Sequence, residues 1–235
     1  MKKATYGQAS PEPVRTFIFL GDSITDSGHL WDDDPRCLGQ GYVRKIADNL
    51  SDPSCRLVNL GQEGFTTGDV LRLLRREEQA LADLLCRPET SSKAPCPCQT
   101  DTHCVSLLIG ANDLSVAVYA DPSWIPDRFA ANIHEILSLI RCFHTGPLFV
   151  MEPFLFPTPS EHRHWFPLLD KEHRILREAA GQYGCLYLPL QNILNRAAAK
   201  QGERLITPDG IHLTGEGNRI VAGEWLKAYS AAFFS

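Results

Sequence analysis

Two short stretches near opposite ends of the chain carry residues that could act together in nucleophilic catalysis. Ser23 lies in a Gly-Asp-Ser turn directly after an apolar run over residues 16–20. Asp209 precedes His212 by three residues, in a loop that contains proline and glycine. A serine hydroxyl is a poor nucleophile until a base takes its proton, and a carboxylate that orients the base helps it do so. The two stretches together predict a triad of Ser23, His212 and Asp209.

Each stretch also has an alternative interpretation. A serine after Gly-Asp is typical of a helix cap or a turn. Asp22, Asp209 and His212 could instead bind a divalent metal for phosphoester hydrolysis. The triad is favoured because packing alone does not easily explain both stretches in one chain.

The elements that must position these residues alternate along the chain. Short apolar runs predict strands, and segments with apolar residues at helical spacing predict helices. The predicted strands cover residues 16–20, 55–60, 104–109, 147–151 and 185–188. The predicted helices cover about 42–50, 67–85, 126–143, 168–180, 192–200 and 215–229. This alternation predicts an α/β fold with right-handed crossovers and about five parallel strands, covered by helices on both faces.

Ligands of such sheets bind at the carboxyl ends of the strands. Ser23, Gly64 and Asn112 each follow a predicted strand. Attack on an ester carbonyl places negative charge on its oxygen, and each donor aimed at that oxyanion is worth about 3–4 kcal/mol. The backbone N–H groups of Ser23 and Gly64 and the side-chain amide of Asn112 are the candidate donors. A turn glycine and a capping asparagine are the alternatives for the last two.

Four blocks of the sequence resemble a known family. They are Gly21-Asp22-Ser23, Asn59-x-Gly-x-x-Gly64-x-Thr66, Gly110-x-Asn112-Asp113 and Asp209-x-x-His212. In this order they resemble the GDSL, or SGNH, hydrolases. The resemblance implies a flavodoxin-like three-layer α/β/α fold and a serine ester hydrolase without a cofactor or metal. It also implies that Ser23 is the nucleophile, His212 the base and Asp209 its orienter, with Ser23, Gly64 and Asn112 forming the oxyanion hole.

A longer match concerns the substrate. The segment from Gly21 to Asp26, followed by Leu38-Gly-x-Gly-Tyr-Val43, resembles family members that remove acetyl groups from xylan-type saccharides. The substrate is therefore expected to be a small ester, with an acetylated oligosaccharide as one candidate. A generic short-chain esterase, a lysophospholipase, a thioesterase and a non-catalytic carbohydrate-binding module are the alternatives. The candidate substrate contacts are Asp22, Trp124, Phe154, Phe156, His164 and Trp165, although packing of their loop is an equal explanation for the aromatic residues.

Length, composition and charge limit the number of domains and the classes of partner. The chain has 235 residues, 43% of them hydrophobic, which suffices for one hydrolase domain over residues 1–235. Residues 1–13 are expected to be a flexible N-terminal segment, and residues 87–103 a loop insertion. A formal charge of -5 argues against nucleic acid or an anionic membrane as the main partner. Homo-oligomerisation is left open.

The eight cysteines predict a reducing compartment. Four of them, Cys37, Cys55, Cys142 and Cys185, are scattered in or beside the predicted elements. No run of apolar residues is long enough for a leader or a membrane span, so a cytoplasmic location is expected. Cys86, Cys96, Cys98 and Cys104 lie near His103, but they lack the Cys-x-x-Cys spacing of zinc sites. Free thiols on a loop are favoured over a zinc site there.

Overall fold

The fold is described from a computed structural model. It describes residues 15–31, 35–50, 55–85 and 103–234. The predicted N-terminal segment 1–13 and all but the last residue of the predicted insertion 87–103 lie outside these ranges.

The first strand is buried on both faces. Phe17 and Phe19 point to one face of the sheet and Ile18 and Leu20 to the other, and all four are at most 1% exposed. Side chains alternate along a strand, so a continuous apolar run requires cover on both sides. The run therefore predicts a strand with helices packed on both faces of the sheet, as is observed.

Five parallel strands form one sheet in the order β2-β1-β3-β4-β5. This is the doubly wound order of flavodoxin-like folds, and it confirms the predicted fold class. The strands are β1 Arg15–Gly21, β2 Cys55–Gly61, β3 Cys104–Leu108, β4 Leu148–Met151 and β5 Leu186–Leu188.

Eight helices connect and cover the strands in the described ranges. They are α1 Ser23–Asp26, α2 Tyr42–Asn49, α3 Thr67–Leu85, α4 Ala111–Tyr119, α5 Ala130–Phe143, α6 Phe166–Gln182, α7 Leu190–Gln201 and α8 Gly215–Phe234. The buried faces of α2, α7 and α8 pack on the face of β1 that carries Phe17. Those of α3, α5 and α6 pack on the opposite face. The molecule thus has three layers, with the sheet between two layers of helices.

Two helices were not predicted from the sequence. The segment after Gly21 forms the short helix α1, and the segment after Gly110 forms α4. The predicted helix over residues 126–143 begins instead with a π-helical turn, Ile125–Phe129, that runs into α5.

The register of the sheet places the turn after β1 between two other loops. Gly21 pairs with Gly61 of β2 on one side and with Leu108 of β3 on the other. Ser23 therefore emerges between the loop that carries Gly64 and the helix that carries Asn112. This is the edge at which the sequence predicts the site.

Candidate active site

Ser23 and His212 meet although 189 positions separate them. The Ser23 Oγ atom lies 3.1 Å from the Nε2 atom of His212. On the other side of the ring, His212 Nδ1 lies 2.7 Å from Asp209 Oδ2. The imidazole can therefore accept the serine proton while the carboxylate holds its other nitrogen in the protonated form.

Asp209 also holds the backbone of its own loop. Its Oδ1 atom accepts the N–H groups of Ile211 at 2.9 Å and His212 at 2.8 Å. Partial burial raises the pKa of Asp209, but the hydrogen bonds from His212 and the two N–H groups outweigh it and leave that pKa below its ordinary value. The carboxylate is thus held ionised beside the ring.

The Asp209 loop is docked on the loop that follows β4. Phe156 N–H donates to the carbonyl of Gly210 at 2.9 Å, and Gly210 N–H donates to Thr207 Oγ1 at 2.8 Å. Gly210 has φ +92, and a Cβ atom there would lie 2.0 Å from the carbonyl oxygen of Thr158. Only glycine fits this close approach, so Gly210 allows the two loops to fix the position of His212.

The turn after β2 presents Gly64 at the same edge. Phe65 N–H donates to the carbonyl of Gln62 at 3.2 Å and closes a four-residue turn in which Gly64 has φ +77. A Cβ at Gly64 would meet nothing within 4 Å, so the space beside this residue is open. Glycine at this position leaves that space free of a side chain.

Asn112 lies in the first turn of α4. Its Nδ2 atom donates to the carbonyl of Phe65 at 2.9 Å. A side-chain amide has two N–H donors, so one remains for a ligand. Ser23 is the first residue of α1, and its N–H group therefore has no acceptor within the helix. The three predicted oxyanion donors thus come to one edge of the sheet.

Asp22, a predicted substrate contact, is buried in the structure, and its contact with substrate stays a prediction. Its side chain is 1% exposed, because it turns inward and its Oδ1 atom caps α1 by accepting Ile24 N–H at 3.0 Å. Its Oδ2 atom has no hydrogen-bond partner among the described residues. Burial raises the pKa of Asp22 to about 7, since the hydrogen bond from Ile24 offsets only part of the desolvation.

The predicted aromatic substrate contacts divide into two groups. Phe154 and Phe156 are each 2% exposed in the core, and Trp165 is 6% exposed in a smaller apolar cluster. These three rings pack their loop down, and their contact with substrate stays a prediction. His164 is exposed, and the half-buried Trp124 donates its indole N–H to Asp113. The roles of these two residues stay predictions.

Sequence reasoning did not assign a role to two buried carboxyl groups behind the site. Asp113, next to Asn112, is fully buried and accepts three hydrogen bonds. Glu172 on α6 is also fully buried, and neither of its oxygens has a partner within the described ranges. Burial, together with the charges of Asp113 and Asp22, raises the pKa of Glu172 well above its ordinary value. The available signal was the helical spacing of Glu172, which places it on the apolar face of α6.

The metal alternatives gain no support from the arrangement of side chains. Within the described ranges, no group of three or more His, Cys, Asp or Glu side chains could hold a metal ion. Cys86, Cys96 and Cys98 of the zinc alternative lie outside these ranges. Cys104 is buried in β3, and His103 Nδ1 accepts the N–H of Thr16 at 2.8 Å.

The described helices were also compared with the length and hydropathy of membrane spans. None of those in the described ranges is long and apolar enough to cross a membrane.

A family model settles which hydrolases the chain resembles. The model of the GDSL-like lipase/acylhydrolase family matches residues 19–220. The chain belongs to this family. The resemblance seen in the four sequence blocks is confirmed, and the protein is a serine ester hydrolase of the GDSL type. No curated protein matches the chain by sequence.

Solved structures share the fold of this GDSL hydrolase. A protein of Parabacteroides merdae assigned as a GDSL-like lipase is 20% identical, covers 93% of this chain and 97% of its own, and has a TM-score of 0.76. A catalytic mutant of Axe2, an acetylxylan esterase of Geobacillus stearothermophilus, is 20% identical, with 93% and 95% covered and a TM-score of 0.69. LAE5, an alpha/beta hydrolase enzyme from the metagenome of Lake Arreo in Spain, is 20% identical, with 94% and 97% covered and a TM-score of 0.69.

Proposed function

We propose that the protein cleaves short-chain carboxylic esters through an acyl-enzyme on Ser23. The observation that carries this proposal is the hydrogen-bonded series Ser23 Oγ, His212 Nε2, His212 Nδ1 and Asp209 Oδ2, with separations of 3.1 and 2.7 Å. The nucleophile, the base and the orienting carboxylate thus each have a competent side chain in hydrogen-bonding reach.

Acylation would begin when His212 Nε2 accepts the proton of Ser23 Oγ as the oxygen attacks the ester carbonyl carbon. The carbonyl oxygen gains negative charge, and the N–H groups of Ser23 and Gly64 and the amide of Asn112 are its proposed donors. When the tetrahedral intermediate collapses, the bond to the alcohol oxygen breaks and His212 gives its proton to the leaving alcohol. Ser23 then carries the acyl group.

Deacylation repeats these steps with water. His212 takes a proton from the water molecule as its oxygen attacks the acyl carbon, and the same donors face the second oxyanion. Collapse releases the acid and returns the proton to Ser23. Asp209 accepts the Nδ1–H of His212 throughout and stabilises the imidazolium in both halves.

The substrate class that we propose is acetyl and other short acyl esters, including acetyl esters of saccharides. The side chains of His212 and Asp209 are 50% and 49% exposed. An open site of this kind supports a bulky alcohol, since the leaving oxygen must reach His212 Nε2. The sequence match around Gly21 to Val43 and the likeness to an acetylxylan esterase point the same way.

The main test is Ser23→Ala, assayed with p-nitrophenyl acetate. We expect normal folding and a loss of turnover on the order of 10⁴-fold or more. Ser123→Ala is the matched control, because it also removes a serine hydroxyl. The Ser123 hydroxyl is exposed and donates to Asp121, and Ser123 is distant from the triad residues in the sequence. Equal rates in the Ser23 variant and the wild type would contradict the proposal.

Two further assays separate the substrate alternatives. An acyl-length series of nitrophenyl esters should favour acetyl and butyryl groups, and acetate should be released from acetylated xylo-oligosaccharides. Faster turnover of lysophospholipids or thioesters would favour those two classes instead. Binding of acetylated oligosaccharides without release of acetate would favour a non-catalytic module on this fold.

Several predictions from the sequence stay predictions. They are a single domain over residues 1–235, a cytoplasmic location, catalysis without a metal, and the absence of a stable membrane or nucleic-acid partner.

A further inference from the structure

The two strands that carry the proposed oxyanion donors are not neighbours in the sheet. Gly64 follows β2 and Asn112 follows β3, and β1 lies between these strands. Strand pairing therefore does not by itself fix the distance between the Gly64 N–H and the Asn112 amide. Contacts between the loops beyond the strand ends must do so.

Hydrogen bonds from Thr67 to Asp113 make this contact across the end of β1. One carboxylate oxygen of Asp113 accepts the N–H of Thr67 at 2.8 Å, and the other accepts its Oγ1–H at 2.7 Å. Thr67 comes three residues after Gly64, and Asp113 comes directly after Asn112. The hydrogen bond from Asn112 Nδ2 to the carbonyl of Phe65 is a second link between the same two loops.

The contact between Thr67 and Asp113 is buried, and two further side chains donate hydrogen bonds to it. Thr67 and Asp113 are both fully buried, so water does not compete for their hydrogen bonds. Trp124 Nε1 donates to Asp113 Oδ1 at 2.8 Å, and Asn132 Nδ2 donates to Thr67 Oγ1 at 3.0 Å. Side chains from four segments thus hold the two loops in one arrangement.

We propose that Asp113 and Thr67 are a positioning pair, which holds the Gly64 N–H and the Asn112 amide at the spacing that an oxyanion requires. This inference rests on the proposed function, because it concerns the donors of the same reaction. Neither residue touches the substrate. They act through the two donors.

A positioning role predicts a particular kinetic effect. Oxyanion donors act at 2.7–3.1 Å from the charged oxygen of the transition state, and they contribute much less to binding of the uncharged ester. A small displacement of Gly64 relative to Asn112 should therefore lower kcat and leave KM nearly unchanged. A purely structural role would lower the melting temperature or the folded yield without this selectivity.

The experiment compares Thr67→Val with Thr67→Ser in an assay on p-nitrophenyl acetate. Thr67→Val removes the hydroxyl donor to Asp113 and keeps the side-chain shape, and we expect kcat to fall by roughly 10- to 100-fold with KM within about threefold. Thr67→Ser keeps the hydroxyl and should restore kcat to within about threefold.

Tyr187→Phe is the matched control. Tyr187 donates its hydroxyl to the buried carboxylate of Glu152 at 2.7 Å, between β5 and the end of β4. The substitution likewise removes one hydroxyl donor to a buried carboxylate, but it leaves the Gly64 and Asn112 loops untouched. We expect kcat in this variant to stay within about threefold of the wild type.

A double-mutant cycle adds a second measure. If Thr67 acts through Asn112, the kcat losses of Thr67→Val and Asn112→Ala should be less than multiplicative when combined. Where Thr67→Val lowers the folded yield, Asn132→Ala replaces it, because it removes the Nδ2 donor to Thr67 Oγ1 and should lower kcat without raising KM.

The outcomes separate the inference from the function beneath it. Turnover that depends on Ser23, with equal small losses in Thr67→Val and Tyr187→Phe, would overturn the inference and leave the esterase in place. If the kcat losses of Thr67→Val and Asn112→Ala are multiplicative in the double-mutant cycle, the inference is overturned too. If Ser23→Ala hydrolyses the ester as fast as the wild type, the proposed function fails and the inference falls with it.

Discussion

Two carboxyl groups flank the Ser23–His212 pair, and they lie in opposite environments. Asp209 is half exposed, and its carboxylate accepts hydrogen bonds from the His212 ring and from two backbone N–H groups. Asp22 is buried, and one of its oxygens has no partner among the described residues. Partial burial raises the pKa of Asp209, but its hydrogen bonds together outweigh that effect and lower the pKa, whereas burial raises the pKa of Asp22 to about 7.

The difference shows that environment and not residue type sets the role of each carboxyl group. A group that is to stabilise an imidazolium must be ionised at the working pH, and hydrogen-bond donors keep it so. A carboxyl group buried in the floor of the site can stay protonated, and burying the neutral acid costs less free energy than burying the carboxylate. Glu172 and Asp22 therefore form a second region, the carboxyl floor, which contributes to stability in a way that Asp209 does not.

The largest effect that this comparison predicts is on turnover. Asp209→Asn keeps an oxygen for the backbone N–H groups but cannot stabilise the imidazolium, so kcat should fall by roughly 10³- to 10⁴-fold. Asp22→Asn is the partner variant, because its amide oxygen can still cap α1. It should retain kcat within about tenfold, or about 1.4 kcal/mol. Similar losses in both variants would erase the contrast between the two carboxyl groups.

A smaller effect concerns the pH dependence of stability in the carboxyl floor. Burial raises the pKa of Glu172 well above its ordinary value of 4.5. It also raises the pKa of Asp22 from 3.8 to about 7. The folded state thus keeps protons that the unfolded chain releases. The free energy of unfolding should fall as pH rises above these unfolded values, by at most about 1.4 kcal/mol per pH unit for each group.

Glu172→Gln tests this directly, because it replaces the protonated acid with a neutral group of similar shape. Its free energy of unfolding should match that of the wild type near pH 4 and exceed it increasingly as pH rises toward 8, as measured by urea denaturation. Parallel pH profiles for the two proteins would mean that Glu172 does not titrate as its burial requires.

The smallest effect is that of Asp209 on stability. Its lowered pKa means that its stabilising contribution is present above pH 3.8 and is lost as pH falls through the folded value. Because the side chain is half exposed, solvent screening limits that contribution to under about 1 kcal/mol. Asp209→Asn should therefore change the free energy of unfolding at pH 7 only slightly, in contrast to its effect on kcat. A loss of several kcal/mol would show that the triad also holds the fold together.

The sequence was sufficient to predict the five strands, their parallel packing and the residues that meet at the site. Each strand is a short segment rich in apolar residues, and each site residue lies in a short block of unusual composition. Helix α4 was missed because it includes Asn112, Asp113, Val116 and Val118, residue types with low helix propensity. Burial of Leu114 and Ala117 stabilises it in the folded protein.

The carboxyl floor and the aromatic residues were beyond sequence reasoning for another reason. Asp22 follows β1 and Glu172 lies on α6, and no local pattern indicates that Glu172 reaches the residues at the strand ends. Phe154 and Phe156 lie in a loop rich in proline, which resembles an exposed segment until the rings are seen in the core. Such features depend on contacts between distant segments, which a single sequence does not reveal.

The packing of α8 on the first strand also bears on how the protein is made. The Phe17 ring lies 5.9 Å from the Trp225 ring and 5.3 Å from the Tyr229 ring, centroid to centroid. During translation, β1 leaves the ribosome early, and its aromatic face is not fully covered until α8 has been synthesised. In such a nascent chain, Ser23 likewise has no base until His212 has been synthesised. Hydrolytic activity would thus appear only after the polypeptide through α8 has been released, and it could serve as a reporter of completed folding.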